Sequence, residues 1–280
     1  MKNLKNWDDK YWNQIKANIG LFTIEDQEKI RKTPIAIFGL GGIGGPLVEQ
    51  LARVGCEEII VCDNDVFEES NINRQLCTRK DLGRYKVDFV RDLVKDINPN
   101  INIRFYYKVN EGNISELLKD ISIISLALDD PFTSILIARR CRKLKIPMVE
   151  SFGLPYLFSM WFTTDSMDYE SFYDLETKEM SVKEMKKSKN LQNTMKKKLY
   201  SKFLAFPGLK QTYNRKKGTL DTFFQDRPYS ISIAPIVRMT ASYLAFEILY
   251  SGILKIKKMI LVPKILGFDY IRMKMIRFEL

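Results

Sequence analysis

The run Pro34-Ile-Ala-Ile-Phe38 passes without a break into Gly39-Leu-Gly-Gly-Ile-Gly44, and no other stretch restricts the fold as much. Five residues, mostly apolar, have the length of a buried strand. After the glycines, Leu47, Val48, Leu51 and Val54 recur at helical spacing, and Gly55 closes that helix. A second strand comes next at Glu58-Ile-Ile-Val-Cys62 and ends on Asp63. This is a β-α-β unit with a G-x-G-x-x-G turn at its first corner. Glycines there permit a tight turn and close backbone approach, and the helix N-terminus offers free N–H groups to a phosphate. Gly39, Gly41 and Gly44 fill the pattern, with Gly42 between them, and Asp63 is placed to accept from ribose hydroxyls. The loop alone serves a dinucleotide or ATP equally well.

The alternation continues with a helix over 86–97, stopped by Asn98-Pro99, and strands near 101–106 and 121–127. A helix over 131–144 and a strand over 146–150 come after them. The expected class is α/β: a Rossmann-like, mostly parallel sheet with helices on both faces. The pattern breaks after about residue 164. Residues 165–228 are polar and Lys-rich, and eight lysines between Lys183 and Lys202 suggest an exposed helix or flexible crossover. An apolar helix over 231–252 and two or three short antiparallel strands within 259–280 complete the chain. The organisation expected is one domain over 1–280, with a helical segment at 1–32 and a basic insertion at 165–228.

Composition narrows the chemistry. The 280 residues include no histidine, so the usual general base and commonest metal ligand are missing. Any chemistry falls to Asp, Lys, Arg and backbone groups. None of the four cysteines, Cys56, Cys62, Cys77 and Cys141, forms a C-x-x-C pair, so no structural zinc is expected. They read as reduced thiols of a cytoplasmic protein. The N-terminal segment shows no apolar leader, and Pro235, Arg238 and Glu247 interrupt the most apolar stretch, which argues against a membrane span. The formal charge of +11 suits an anionic partner such as a nucleotide, RNA or an acidic protein, though a general lysine bias explains it too.

The segment beyond the second strand separates nucleotidyl transfer from hydride transfer. Asp63-Asn-Asp-Val-Phe-Glu-Glu-Ser-Asn71-Ile-Asn-Arg74-Gln75 is succeeded by Leu82-Gly-Arg-Tyr-Lys86. Asn71, Arg74 and Lys86 bring an amide and two cations near the glycine loop. Asp65 shares the strand edge with Asp63, and Asp129-Asp130 ends the fourth strand at the edge where ligands bind. Paired cations for a triphosphate and a carboxylate for Mg²⁺ equip a site for phosphoryl chemistry.

At this point the sequence resembles the E1-like ThiF/MoeB/HesA family of activating enzymes. IAIFGLGGIGGPLVEQLARVG, IIVCDNDVFEESNINRQ and LGRYKVDFVRDLVKDINP carry the likeness, and it resumes in LALDDPFTSILIARRCRKLKIPMVESFG and IAPIVRMTASYLAFEILYSG. The N-x-x-R-Q element with its spaced G-x-x-K is more specific than the glycine loop. The resemblance implies an adenylyltransferase that joins a substrate carboxylate to AMP. Gly39, Gly41, Gly42 and Gly44 would border ATP, with Asp65, Gln75 and Asp130 nearby. Asp63 would hold the ribose, Asn71 and Arg74 the triphosphate, Lys86 the transferred α-phosphate and Asp129 the Mg²⁺. A homodimer is implied, with a ubiquitin-like carrier or peptide as substrate. Three departures stand out. The arginine of an N-terminal R-Q pair, which in many members reaches the partner's ATP, is Asn13 here; Lys10 or Lys16 could substitute. Paired C-x-x-C motifs are absent, and no cysteine occurs after Cys141, so no enzyme thioester is expected. The alternatives are a tRNA threonylcarbamoyladenosine dehydratase-like enzyme, a non-catalytic peptide-binding scaffold, and an NAD-dependent oxidoreductase. The 165–228 segment reads either as a solvated face or as an electrostatic guide for an acidic tail or RNA.

Overall fold

A computed structural model describes residues 7–154, 156–213 and 232–280. Helices α1 (Asp9–Ile15) and α2 (Ile24–Lys32) lead into β1 (Ile35–Phe38), α3 (Gly44–Arg53) and β2 (Glu58–Cys62). Next come α4 (Lys86–Ile97), β3 (Asn102–Tyr106), the short α5 (Ile114–Leu117), β4 (Ile123–Leu126), α6 (Pro131–Leu144) and β5 (Met148–Glu150). Strands β6 (Leu157–Phe158) and β7 (Met160–Phe162) precede four helices: α7 (Tyr169–Phe172), α8 (Val182–Lys187), α9 (Lys189–Leu204) and α10 (Leu209–Tyr213). Helix α11 (Ala234–Glu247), a π-helical turn (Ile248–Ile253), β8 (Lys264–Asp269) and β9 (Lys274–Glu279) end the chain.

The main sheet has the order β3-β2-β1-β4-β5-β7, parallel except for β7 against β5. Strands β1, β2 and β4 are near-continuous apolar runs because both of their faces are covered, whereas β3 at the sheet edge mixes polar and apolar residues and is only partly buried. Alternation within β1 shows this: Ile35 and Ile37 join a core with Leu47, Leu51, Val90 and Leu244, whereas Ala36 and Phe38 join one with Ile135, Ala138 and Cys141. Helices α3, α4 and α11 therefore cover one face and α6 the other. The α/β class, the parallel sheet and the C-terminal antiparallel strands stand as expected; β6, β8 and β9 form a separate antiparallel sheet.

Boundaries at α4 and α6 fall where the sequence places them, since both are chemically marked. Asp130 caps α6, accepting from the backbone N–H of Phe132 and Thr133, and Pro131 occupies the first turn. The apolar helix expected over 231–252 is regular only over Ala234–Glu247, and Ile231 lies outside the described residues. The lysine-rich stretch needs a larger correction. Helices α8 and α9 are amphipathic rather than wholly exposed: Val182, Met185 and Met195 are buried, and Leu191, Leu199 and Phe203 pack on the same core. Tyr169, Phe172 and Tyr173 are buried too, so they are not available as a stacking surface. Residues 214–228 of this segment lie outside the described residues. No helix among the described residues is long and apolar enough to cross a membrane.

Candidate active site

The parallel sheet brings the ends of β1, β2 and β4 together at its carboxyl edge. Phe38 O accepts from Ala127 N at 2.7 Å, and Gly39 N donates to Cys62 O at 2.9 Å, so the glycine turn is tied to both neighbouring strands. The glycines divide by role. Gly39 has φ +90°, and a Cβ there would collide with the Ala127 carbonyl. A Cβ on Gly44 would collide with the Gly39 carbonyl, which fixes how closely α3 approaches the turn. A Cβ on Gly41 would meet only Gln75 Nε2, at 3.8 Å. At Gly42 the neighbours are Val237 Cγ1 at 3.2 Å and Arg74 Cγ at 3.4 Å.

Those contacts place Arg74 and Gln75 directly against the glycine loop. Arg74 Nη1 donates to Ser70 O and Asn73 Oδ1, both at 2.8 Å, which steadies a partly exposed guanidinium. Gln75 is buried, and its Oε1 has no hydrogen-bond partner. A buried amide oxygen left unmet beside an open backbone turn is a position where a ligand donor would lower the energy. Asn71 is also buried, but its Oδ1 accepts from Glu68 N at 3.2 Å and so closes its own turn.

Asp63 braces the loop: Oδ2 accepts from Leu40 N at 2.6 Å and Oδ1 from Asp65 N at 2.8 Å. Each oxygen keeps a second lone pair for another donor. Burial pushes its carboxyl pKa up, partly countered by the nearby Lys86 ammonium and the two backbone donors. Lys86 opens α4, is 5% exposed, and donates from Nζ to Asp65 Oδ2 at 2.7 Å. Asp65 thus orients the cation, leaving two ammonium donors for another acceptor.

The two carboxylates after β4 have different surroundings. Asp130 is occupied as the α6 cap and also accepts from the Thr133 hydroxyl. Asp129 is exposed and makes no hydrogen bond or ion pair among the described residues. No cluster of three or more Cys, Asp or Glu able to hold a metal occurs among the described residues. Mg²⁺ suits such a setting, since it is held by one or two carboxylates together with phosphate oxygens and water.

All four cysteines are free and buried. Burial pushes the Cys62 thiol up to about 12 and raises Cys56, Cys77 and Cys141 as well. None has the depressed pKa or exposure of a nucleophile. On α1, Asn13 is exposed and its Oδ1 accepts from Lys16 Nζ at 3.0 Å, while Gln14 Nε2 donates to Ala52 O at 2.8 Å and docks α1 at the far end of α3.

The chain is similar to known proteins in sequence and in fold. Adenylyltransferase and sulfurtransferase UBA4 of Saccharomyces cerevisiae is 32% identical over 133 residues, covering 47% of this chain and 30% of its own length. SAMP-activating enzyme E1 of Haloferax volcanii is 31% identical over 142 residues, covering 50% of this chain and 52% of its own. The chain therefore matches only about a third to a half of these curated relatives. Among solved structures, PaaA superposes with a TM-score of 0.68 at 18% identity, over 100% of this chain and 85% of that one. Escherichia coli MccB, solved with ATP, gives 0.61 at 19% identity, over 91% of this chain and 66% of that one. These structural matches establish a shared fold. The sequence model of the ThiF family matches residues 12–280, a span that includes every candidate nucleotide-site residue from Gly39 to Asp130, and the chain accordingly belongs to the ThiF family.

Proposed function

We propose that this protein is an ATP-dependent adenylyltransferase that activates a substrate carboxylate, at the C-terminus of a peptide or small ubiquitin-like carrier, as an acyl-adenylate. The observation that carries the reading is the convergence of Arg74 and Gln75 on the Gly41–Gly42 turn, with Lys86 held beside Asp63 and Asp65. A triphosphate carries more negative charge than a dinucleotide's pyrophosphate, which favours ATP where two cations gather by the turn. The unmet Gln75 Oε1 and the open face at Gly41 fit a nucleotide lying on the loop.

In this reading the backbone N–H groups of the Gly41–Gly44 turn meet the phosphate oxygens, since at the start of α3 Gly45 N already donates to Gly41 O and Pro46 has no N–H. One substrate carboxylate oxygen bonds to the α-phosphorus as the bridge to pyrophosphate breaks, and the electron pair leaves with pyrophosphate. A C-terminal carboxylate is already ionised at neutral pH, so the attack requires no general base, which reconciles the chemistry with a chain lacking histidine. Lys86 is placed for charge gathering on the α-phosphoryl group and Arg74 for the departing pyrophosphate. Asp129, the carboxylate with free oxygens, would hold Mg²⁺, which supplies charge neutralisation along the triphosphate. Because the cysteines are buried, the adenylate passes to an external acceptor without an enzyme thioester. A homodimer in the cytoplasm belongs to the same proposal.

Pyrophosphate–ATP exchange in the presence of a synthetic peptide ending in a free Gly-Gly tests this. Exchange that disappears when the same peptide is amidated supports carboxylate activation. Equal exchange with both peptides, or none with any free carboxylate offered, refutes it.

A further inference from the structure

Helices α8 and α9 form a ledge on the face of the sheet that α6 covers, and the end of α9 reaches the loop after β5 at the sheet's carboxyl edge. Met185 and Met195 are buried in the core beneath them. At the end of α9 the Phe203 ring lies 6.3 Å from that of Phe152, in the loop after β5. Phe206 lies 4.9 Å from Phe158 and anchors the same corner. Gly153 of that loop abuts Thr240 on α11, and Val237 on α11 abuts Gly42 of the glycine turn. The ledge is thus joined to the candidate nucleotide site through one continuous set of contacts.

Its outer face carries an excess of positive charge. Lys183, Lys186 and Lys187 on α8 and Lys197 on α9 are exposed and make no ion pair or hydrogen bond among the described residues. The neighbouring acids are engaged elsewhere. Glu184 accepts from Ser181 at the α8 cap, Glu176 pairs with Lys198 at 2.7 Å, and Asp174 pairs with Lys202 at 3.6 Å. Asp168 pairs with Lys178 at 2.9 Å, and the field of Glu179 falls on Arg139. Asp168, Glu176 and Asp174 balance Lys178, Lys198 and Lys202, and Glu184 alone among the α8 residues offsets Lys183, Lys186 and Lys187, so that face keeps a net positive charge.

We infer that this lysine row is the docking surface for an acidic segment of the polypeptide whose C-terminal carboxylate enters the site. The inference rests on the adenylation reading and adds the chemistry of the partner. An acidic polypeptide fits better than RNA. The row consists of lysines, which act as point charges rather than planar forks, and the nearby Tyr169, Phe172 and Tyr173 are buried and offer no base a stacking surface. Lys183, Lys186 and Lys187 recur at i, i+3 and i+4 and so share one face of α8, an array that a segment of several acidic residues can pair with.

The test uses a fluorescein-labelled oligoglutamate peptide and labelled bulk tRNA, monitored by anisotropy at low and at physiological ionic strength. The comparison is between the intact chain and a variant carrying Lys183→Glu, Lys186→Glu, Lys187→Glu and Lys197→Glu. The peptide is expected to bind the wild type in a salt-sensitive manner and the variant at least about tenfold more weakly, the scale of four exposed pairs. Calorimetric Mg·ATP binding should be equal in both proteins, because the row lies outside the nucleotide site. If the reversed variant fails to fold, the four Lys→Gln substitutions serve instead, with a smaller loss in the same direction. Equal peptide affinity for wild type and variant overturns the inference, as does tRNA binding in preference to the peptide through the same lysines. Loss of Mg·ATP binding by the wild type itself would instead strike the adenylation reading, so the two failures are distinguishable.

Discussion

Replacing Glu150 by Gln should make the stability difference from wild type strongly dependent on pH. Glu150 ends β5, is 4% exposed, and accepts a hydrogen bond from the Tyr173 hydroxyl. Tyr169 and Tyr173 are the titratable groups felt by this carboxyl, and burial drives both hydroxyls far above their usual range, so no cation compensates it. Burial raises the Glu150 pKa from its ordinary 4.5 to about 7, with the Tyr173 hydrogen bond only partly opposing. A carboxyl whose pKa is raised on folding binds its proton more tightly in the folded state. Its contribution is therefore fully present below about 4.5 and is lost as pH rises through about 7. The gap between those values corresponds to ~3 kcal/mol. Glutamine keeps an acceptor for Tyr173 and cannot ionise, though its buried amide N–H groups cost about 1–3 kcal/mol if unmet. Denaturant unfolding of both proteins at pH 5 and pH 8.5 cancels every other titrating group in the difference. The variant should gain roughly 2.5 kcal/mol relative to wild type between the two conditions, the remainder having been lost already at pH 5. A difference that does not move with pH, or that moves against the variant, would refute the account of this buried carboxyl.

Other expectations come from the site. Arg74→Ala and Lys86→Ala should each lower pyrophosphate exchange about 10²–10³-fold, by analogy with loss of one positioned donor, with far-ultraviolet circular dichroism unchanged; wild-type exchange in either variant would mean the site is misplaced. Asp129→Ala should abolish metal-dependent exchange while leaving the melting temperature near wild type, and Asp130→Ala should retain exchange but lose about 1 kcal/mol of stability through the α6 cap; identical behaviour of the two would contradict their separate roles. Gly39→Ala should fail to give a cooperative melt, because its Cβ meets the Ala127 carbonyl, whereas Gly41→Ala should melt like wild type yet bind Mg·ATP more weakly. Replacing all four cysteines should leave exchange intact, and mass spectrometry after incubation with Mg·ATP and a Gly-Gly peptide should show no thiol-labile adduct; such an adduct on any cysteine would reverse that conclusion.

Much of the fold was legible because its signals are local. Asn98-Pro99 stops α4 at Ile97, and Asp130-Pro131 starts α6, so both helices fall at their expected limits. Short apolar runs marked the core strands, since each is buried on both faces. Helices α8 and α9 were harder. Their lysines dominate the composition and hide a Leu191, Met195, Leu199, Phe203 stripe at intervals of four, which is the signal that would have revealed a packed face. At the site, the sequence pointed to the carboxyl edge of the sheet, where the structure gathers these residues, but not to their pairing there. That Asp65 orients Lys86, that Asp63 braces Leu40 N, and that Asp130 is consumed as a cap are matters of three-dimensional pairing. Residue spacing alone does not encode them.

The central claim is that the Gly39–Gly44 turn with Arg74 and Lys86 is an ATP site. Isothermal titration of the intact chain with Mg·ATP and, separately, with NAD tests it most directly. Saturable Mg·ATP binding that Lys86→Ala weakens, with no heat from NAD, is the result expected. Tight NAD binding in the absence of any ATP binding would contradict the claim.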